Sequence, residues 1–165
     1  MTKSTCYRAV FGLAATGLVT CAVGLILPTA GYSSPAAAAG PAQVVILDPT
    51  TNTVESVTPL TAGEYRALQV SHGEVAATLG VHPDISIRNP CDIGDGCYYG
   101  DPPYAELGFY GSSGTYHGNW PGRSGFDTGN YSAFACWTGR CSDTWPPDTI
   151  VTFTYDVTGT AFWIS

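Results

Sequence analysis

The chain has 165 residues, with 13 acidic and 6 basic side chains, a net charge of −7 and no lysine beyond Lys3. That length suits one ordinary domain. An acidic, lysine-poor surface repels nucleic-acid backbones and anionic lipid alike, which argues against both as partners.

Lys3 and Arg8 precede an uncharged apolar run from Ala9 to Leu27, and a stretch of small residues follows, ending in Ala36-Ala37-Ala38-Ala39. Basic start, apolar middle and small-residue exit describe a secretory signal peptide over residues 1–39, cleaved after Ala38 or Ala39. The run is longer than the usual apolar core of about 7–15 residues, so a retained anchor is the competing reading. Gly12, Thr16, Gly17, Thr20 and Gly24 dilute it, which favours cleavage. Leu18-Val-Thr-Cys21 lacks the small residue that a lipidation motif places before its cysteine. The expectation is a secreted, extracellular protein with no stable membrane association once the signal is removed. Cleavage leaves four arginines against thirteen acids, a net charge of −9.

Residues 40–90 read as a hairpin and two short helices packing on the domain that follows. Gln43 to Leu47 and Thr53 to Thr58 flank an Asp48-Pro49 turn. Thr61-x-x-Glu64 is a capping box, continued at helical spacing by Tyr65 and Leu68. Ser71-x-x-Glu74 is a second one, leading Val75 to Leu79 into Gly80. A brief alternating segment, Ile85-Ser-Ile87, precedes the first cysteine.

Residues 91–165 are rich in aromatics and glycines and carry the remaining cysteines, in Cys91-x5-Cys97 and Cys136-x4-Cys141. An even count in an exported small domain predicts two disulfides, and both spacings are wider than a zinc-binding pair. Of the three possible connectivities, the glycines within each loop favour local pairing, Cys91–Cys97 and Cys136–Cys141. Strands are expected near Glu106–Tyr110, Thr115–Trp120 and Tyr131–Trp137. In Thr149 to Val157, Val151, Phe153, Tyr155 and Val157 recur with the period of a half-buried strand. Thr158-Gly159 then predicts a turn into Thr160 to Ile164 and a closing hairpin. The fold class is therefore mainly β: a small disulfide-stapled antiparallel sandwich or Greek-key domain with a short helical N-terminal element.

Few motifs carry chemistry, and no cofactor is expected. Asp127-Thr128-Gly129 matches the triplet of aspartic proteases, which need two such carboxylates, and no second copy occurs. Ser124 lacks the glycine spacing of a nucleophile elbow, and His72, His82 and His117 each have a local explanation at a turn or strand. Asp92, Asp95 and Asp101 cluster among glycines but do not follow the calcium-loop pattern. Aromatics near turns are the stronger lead: Tyr98, Tyr99, Tyr116, Trp120 and Trp137, joined by Arg140 on the second cysteine loop, are the candidate binding residues.

Tyr104-Ala-Glu-Leu-Gly-Phe-Tyr-Gly111 has an aromatic followed after six residues by glycine. It resembles one Greek-key corner of the βγ-crystallin-like fold, which small secreted bacterial peptidase inhibitors and toxin-like proteins share. The resemblance covers some 40 residues, makes Tyr104 and Gly111 structural, and implies a secreted inhibitor. Together these readings predict a non-enzymatic binding protein that acts on an extracellular protein or polysaccharide. The alternative is a small extracellular hydrolase using a carboxylate such as Asp127.

Overall fold

A computed structural model describes residues 40–74 and 84–165. All of them fall within one unit of the chain, Pro35–Ser165. The expected signal segment and the second helix lie outside the described residues.

Ten elements follow in order: β1 (Gln43–Asp48), β2 (Thr53–Pro59), α1 (Ala62–Ser71), β3 (Ser86–Arg88), β4 (Gly96–Gly100), β5 (Leu107–Tyr110), β6 (Gly114–Asp127), β7 (Ala133–Trp137), β8 (Arg140–Cys141) and β9 (Thr149–Ile164). Among the described residues the protein is mainly β with one short helix, as its composition predicts. All nine strands belong to one sheet, ordered β2-β1-β9-β6-β4-β5-β3, with β7 attached to β9 and β8 to β7. One pairing is parallel: Gln43–Leu47 of β1 runs alongside Thr149–Phe153 of β9. The hairpin of residues 43–59 is thus part of the sheet itself, inserted beside β9, instead of an element resting on it.

Two long strands, β6 and β9, organise the domain. Near its start β9 lies between β1 and the end of β6, and near its finish between β7 and the beginning of β6. The β6–β9 register shifts three times between His117 and Gly125. Such bulges bend a paired ribbon and increase its twist. The bend brings Phe162 of β9 onto Phe109 of β5, stacked at 4.5 Å, and the Tyr98 hydroxyl of β4 within 3.1 Å of the Cys136 carbonyl of β7. A single sheet therefore supplies both walls of a sandwich-like core. The approach is close enough that a Cβ on Gly96 would stand 2.7 Å from the Phe162 ring.

The expected hairpin at Thr158-Gly159 does not form, because β9 continues through both residues. Gly159 is paired on both sides, with Trp120 of β6 and Trp137 of β7, and this tertiary pairing overrides the local turn preference. Pro121 to Gly125, past the expected end of the strand at Trp120, is likewise the bulged middle of β6. Arg123, buried at its centre, donates to the carbonyls of Tyr98, Ala105 and Pro121.

The two faces near β4 differ in kind. The inner face gathers Val45, Leu47, Tyr98, Phe109, Phe126, Trp137, Val151, Phe153, Phe162 and Ile164 into an aromatic core. On the reverse face, Tyr65, Cys91, Cys97, Tyr99 and Ile150 form a smaller cluster beneath α1. That helix begins at the expected capping box: the Thr61 hydroxyl accepts from Glu64 N–H while the Glu64 carboxylate accepts from Thr61 N–H.

Candidate functional site

Both cysteine pairs are joined locally, Cys91 to Cys97 and Cys136 to Cys141. They serve different surroundings. Cys91–Cys97 is fully buried under α1. Its loop is closed by Arg88, which pairs with Asp92 and, at 2.9 Å, with Asp95, while its guanidinium lies 3.7 Å above the Tyr110 ring. Burial pushes Asp95 up to about 6 even though Arg88 and the Asp92 N–H favour its charge. Asp92 and Asp95 are thus buried partners of an arginine instead of open calcium ligands, and Asp101 stands apart on an exposed turn.

The second pair lies across β7 and β8 and pins an exposed tip, Thr138-Gly139-Arg140. Thr138 donates through its N–H, at 3.0 Å, to the Thr158 carbonyl, fixing the tip to the middle of β9. Beside it opens a cleft of about 360 Å³, lined by Thr50 of the β1–β2 turn, Trp137, Arg140, Tyr155, Asp156 and Thr158. Tyr155 is 48% exposed at its wall. Trp137 belongs to the structure behind the cleft: it is 4% exposed, packs on Phe153 at 4.9 Å and donates its indole N–H to the Pro49 carbonyl at 2.8 Å.

The six expected contact residues separate accordingly. Tyr98, Tyr99 and Trp137 are buried and are not exposed contacts, because a core poor in leucine and isoleucine is filled by aromatics. Tyr116 and Trp120 are half-buried, stacked on each other and packed against the core. Arg140 is exposed on the pinned tip. Tyr155 and Asp156 were missed. The alternation of β9 marks Tyr155 as inward-facing, yet it lies between Thr152 and Val157, where the β6–β9 register shifts. Phe134 and Trp163 were also missed: register partners on β7 and β9, stacked at 5.2 Å, they are half-buried and outside both apolar clusters.

Asp127 occupies a different position from that of a catalytic acid. It is fully buried on the reverse face of β6. Its Oδ1 accepts from the Tyr65 hydroxyl at 2.7 Å and from Gly129 N–H at 2.9 Å, and its Oδ2 from the Gln69 amide at 2.9 Å. Gly129 is needed there: its φ is +56°, and a Cβ would fall 2.0 Å from the Asp95 carbonyl. Thr128 completes the turn by donating to the Pro146 carbonyl and accepting from Thr149 N–H. The triplet is accounted for by structure, its carboxylate fully buried and bonded to α1 and to its own turn.

Its neighbour is Glu74, 4% exposed, whose Oε1 accepts from the Tyr99 hydroxyl at 2.8 Å. The Glu74 Oε2 is buried with no donor offered to it, and the carboxyl lies within hydrogen-bonding range of Asp127. Burial and the Asp127 charge push Glu74 up to about 9. Burial also raises Asp127, against three neutral donors that favour its ionised form. Burial of the two carboxyls together therefore favours keeping a proton between them, and Glu74, with the weaker set of donors, is the one raised further. Compared with known proteins, the chain matches no family model, no curated protein and no solved structure.

Proposed function

We propose that the protein is a secreted, non-enzymatic binding protein whose target is an extracellular protein, with a peptidase as the first class to test. The observation that carries this reading is the disulfide-pinned tip, which sets exposed Arg140 beside the cleft walled by Tyr155 and Asp156. Arginine and tyrosine are enriched among residues that dominate binding energy, and a tip already ordered loses less entropy on association. The cleft offers one aromatic ring, charges of both signs and threonine hydroxyls, a mixture suited to a protein surface. Two disulfides fit an oxidising environment, which supports the extracellular assignment. Among the described residues no helix is long and apolar enough to cross a membrane.

The Phe134–Trp163 pair favours a second reading, a polysaccharide target, since parallel half-buried rings outside the core suit stacking on sugar faces. One experiment separates the two. Mature protein is immobilised and presented with secreted peptidases and with cell-wall polysaccharides. Capture of a peptidase that is lost in Arg140→Ala/Tyr155→Ala supports the first reading. Capture of glycan that is lost in Phe134→Ala/Trp163→Ala supports the second. Turnover of peptide or glycan by the purified protein would overturn both in favour of a hydrolase.

A further inference from the structure

Helix α1 is weakly apolar for a packed helix. Only Tyr65 and Gln69 of its ten residues are buried, with Leu68 half-buried. Both buried side chains donate to the same group, the Asp127 carboxylate. Just past the helix, Glu74 N–H donates to the Gln69 carbonyl, and the Glu74 side chain turns back to meet Asp127 and Tyr99. One buried carboxyl pair therefore holds both the face of the helix and its exit. Beneath lie the Cys91–Cys97 disulfide and Ile150, which α1 covers.

We infer that α1 is a latch held by a proton: the hydrogen shared between Glu74 and Asp127 keeps the helix seated on the sheet, and its loss in alkaline solution releases the helix and uncovers Cys91–Cys97. With the proton present, the pair carries a single negative charge, met by the Tyr65 hydroxyl, the Gln69 amide and Gly129 N–H. Without it, two carboxylates share a buried site, a state that proteins avoid by moving the charges apart. Separation is available here because Glu74 lies on the helix side and Asp127 on the sheet.

The surrounding groups reinforce this direction. Tyr65 from α1 and Tyr99 from β4 are both held protonated by burial, so they remain donors. Glu106, in the segment before β5, and Asp148, before β9, add negative potential, Glu106 acting on Glu74 and Asp148 on Tyr65. His72, stacked on Tyr99 at 4.0 Å, is pushed down by burial and is neutral throughout the range in which the latch opens, so it supplies no compensating cation. Arg123 acts on Glu106, and Asp101 acts on His72.

Opening releases one proton wherever Glu74 is protonated in the closed state and ionised in the open one. The opening constant should then rise about tenfold per pH unit between the ordinary glutamate range and the latched value. Hydrogen exchange of the full-length protein, corrected for intrinsic rates, reads this directly. Between pH 6.5 and 8.5 the amides of α1 should open about a hundredfold more, while the β6–β9 amides do not follow. Glu74→Gln, whose amide can replace the shared proton, should abolish the dependence. Phosphine reduction of the wild-type protein gives a second measure needing no variant: Cys91–Cys97 should be reduced faster, relative to Cys136–Cys141, as pH rises. A flat α1 profile, α1 opening in step with β9, an undiminished slope in Glu74→Gln, or a constant reduction ratio would each overturn the latch.

Discussion

Tyr98 and Tyr99 are neighbours in sequence and nearly equal in burial, yet they belong to opposite chemistries. Tyr98 points into the aromatic core, near Phe126 and Phe162, and only its hydroxyl is polar there. Tyr99 points to the reverse face, where it donates to Glu74 above a disulfide and beside Asp127. The inner face is held by contact area, a force without direction and almost independent of pH. The outer face is held by a few directed bonds to carboxyls taken out of water, which are strong only while every partner is present in the right protonation state. A strand with one residue on each face thus joins a robust layer to a conditional one.

The comparison can be broken most forcefully from the inner side. Phe162→Ala removes a ring that touches both walls and should cost about 3–5 kcal/mol, equally at pH 5 and pH 8. Denaturant titration at the two pH values checks both parts. A strongly pH-dependent loss would show that the core and the acid layer are coupled. Trp137→Ala should cost a comparable amount, which distinguishes a buried indole from a contact residue.

On the outer side, Asp127→Ala leaves the Tyr65 hydroxyl and Gln69 amide without their acceptor. Each buried orphan costs about 1–3 kcal/mol. The loss should fall mainly on α1, so exchange in that helix should rise before exchange in β9. The disulfides come next. Each closes a loop of about six residues, worth roughly 2 kcal/mol by the loop-entropy model. Removing Cys136–Cys141 by paired serines should approach that figure. Removing Cys91–Cys97 should exceed it, because two serines would then be buried under α1.

The pH dependence of the whole fold is spread over several units. Glu74, Asp95, Asp127 and Glu106 are all raised, so between the ordinary carboxylate range and their folded values the native state binds more protons than the unfolded chain. Stability is then fully present in acid and declines as pH rises through about 6 for Asp95, about 7 for Glu106 and about 9 for Glu74. Each fully linked proton contributes at most about 1.4 kcal/mol per pH unit. Melting temperature should therefore fall from pH 5 to pH 9. A rise would mean these carboxyls are ionised and hydrated in the native state. Smallest of all, Arg140→Ala should change stability by less than about 0.5 kcal/mol, since its side chain is exposed. Any loss of target binding in it would then belong to the contact itself.

Much of the local structure was legible in the chain. Thr61-x-x-Glu64 specified the start of α1, and Val151 and Phe153 the inward face of β9, because capping and alternation are settled by a few adjacent residues. The local disulfides followed from the glycines within each cysteine loop. Asp127 shows where such reading ends. Its triplet looks like a catalytic motif, and only the arrival of Tyr65 and Gln69 from 62 and 58 residues away identifies it as the seat of a helix. The same limit applies to the aromatics: composition requires that many be core, but the choice of Trp137 over Tyr155 depends on where the β6–β9 register shifts. The strand through Thr158-Gly159 is another such decision, since pairing on both sides outweighs a two-residue turn preference. The sequence by itself determined the β-rich class, the helix cap, the cysteine pairs and the acidic character, all properties of composition or of neighbours along the chain. Only the tertiary structure decided which aromatics are exposed and that Glu74 and Asp127 share a site, because burial and charge proximity arise when segments distant in sequence are packed together.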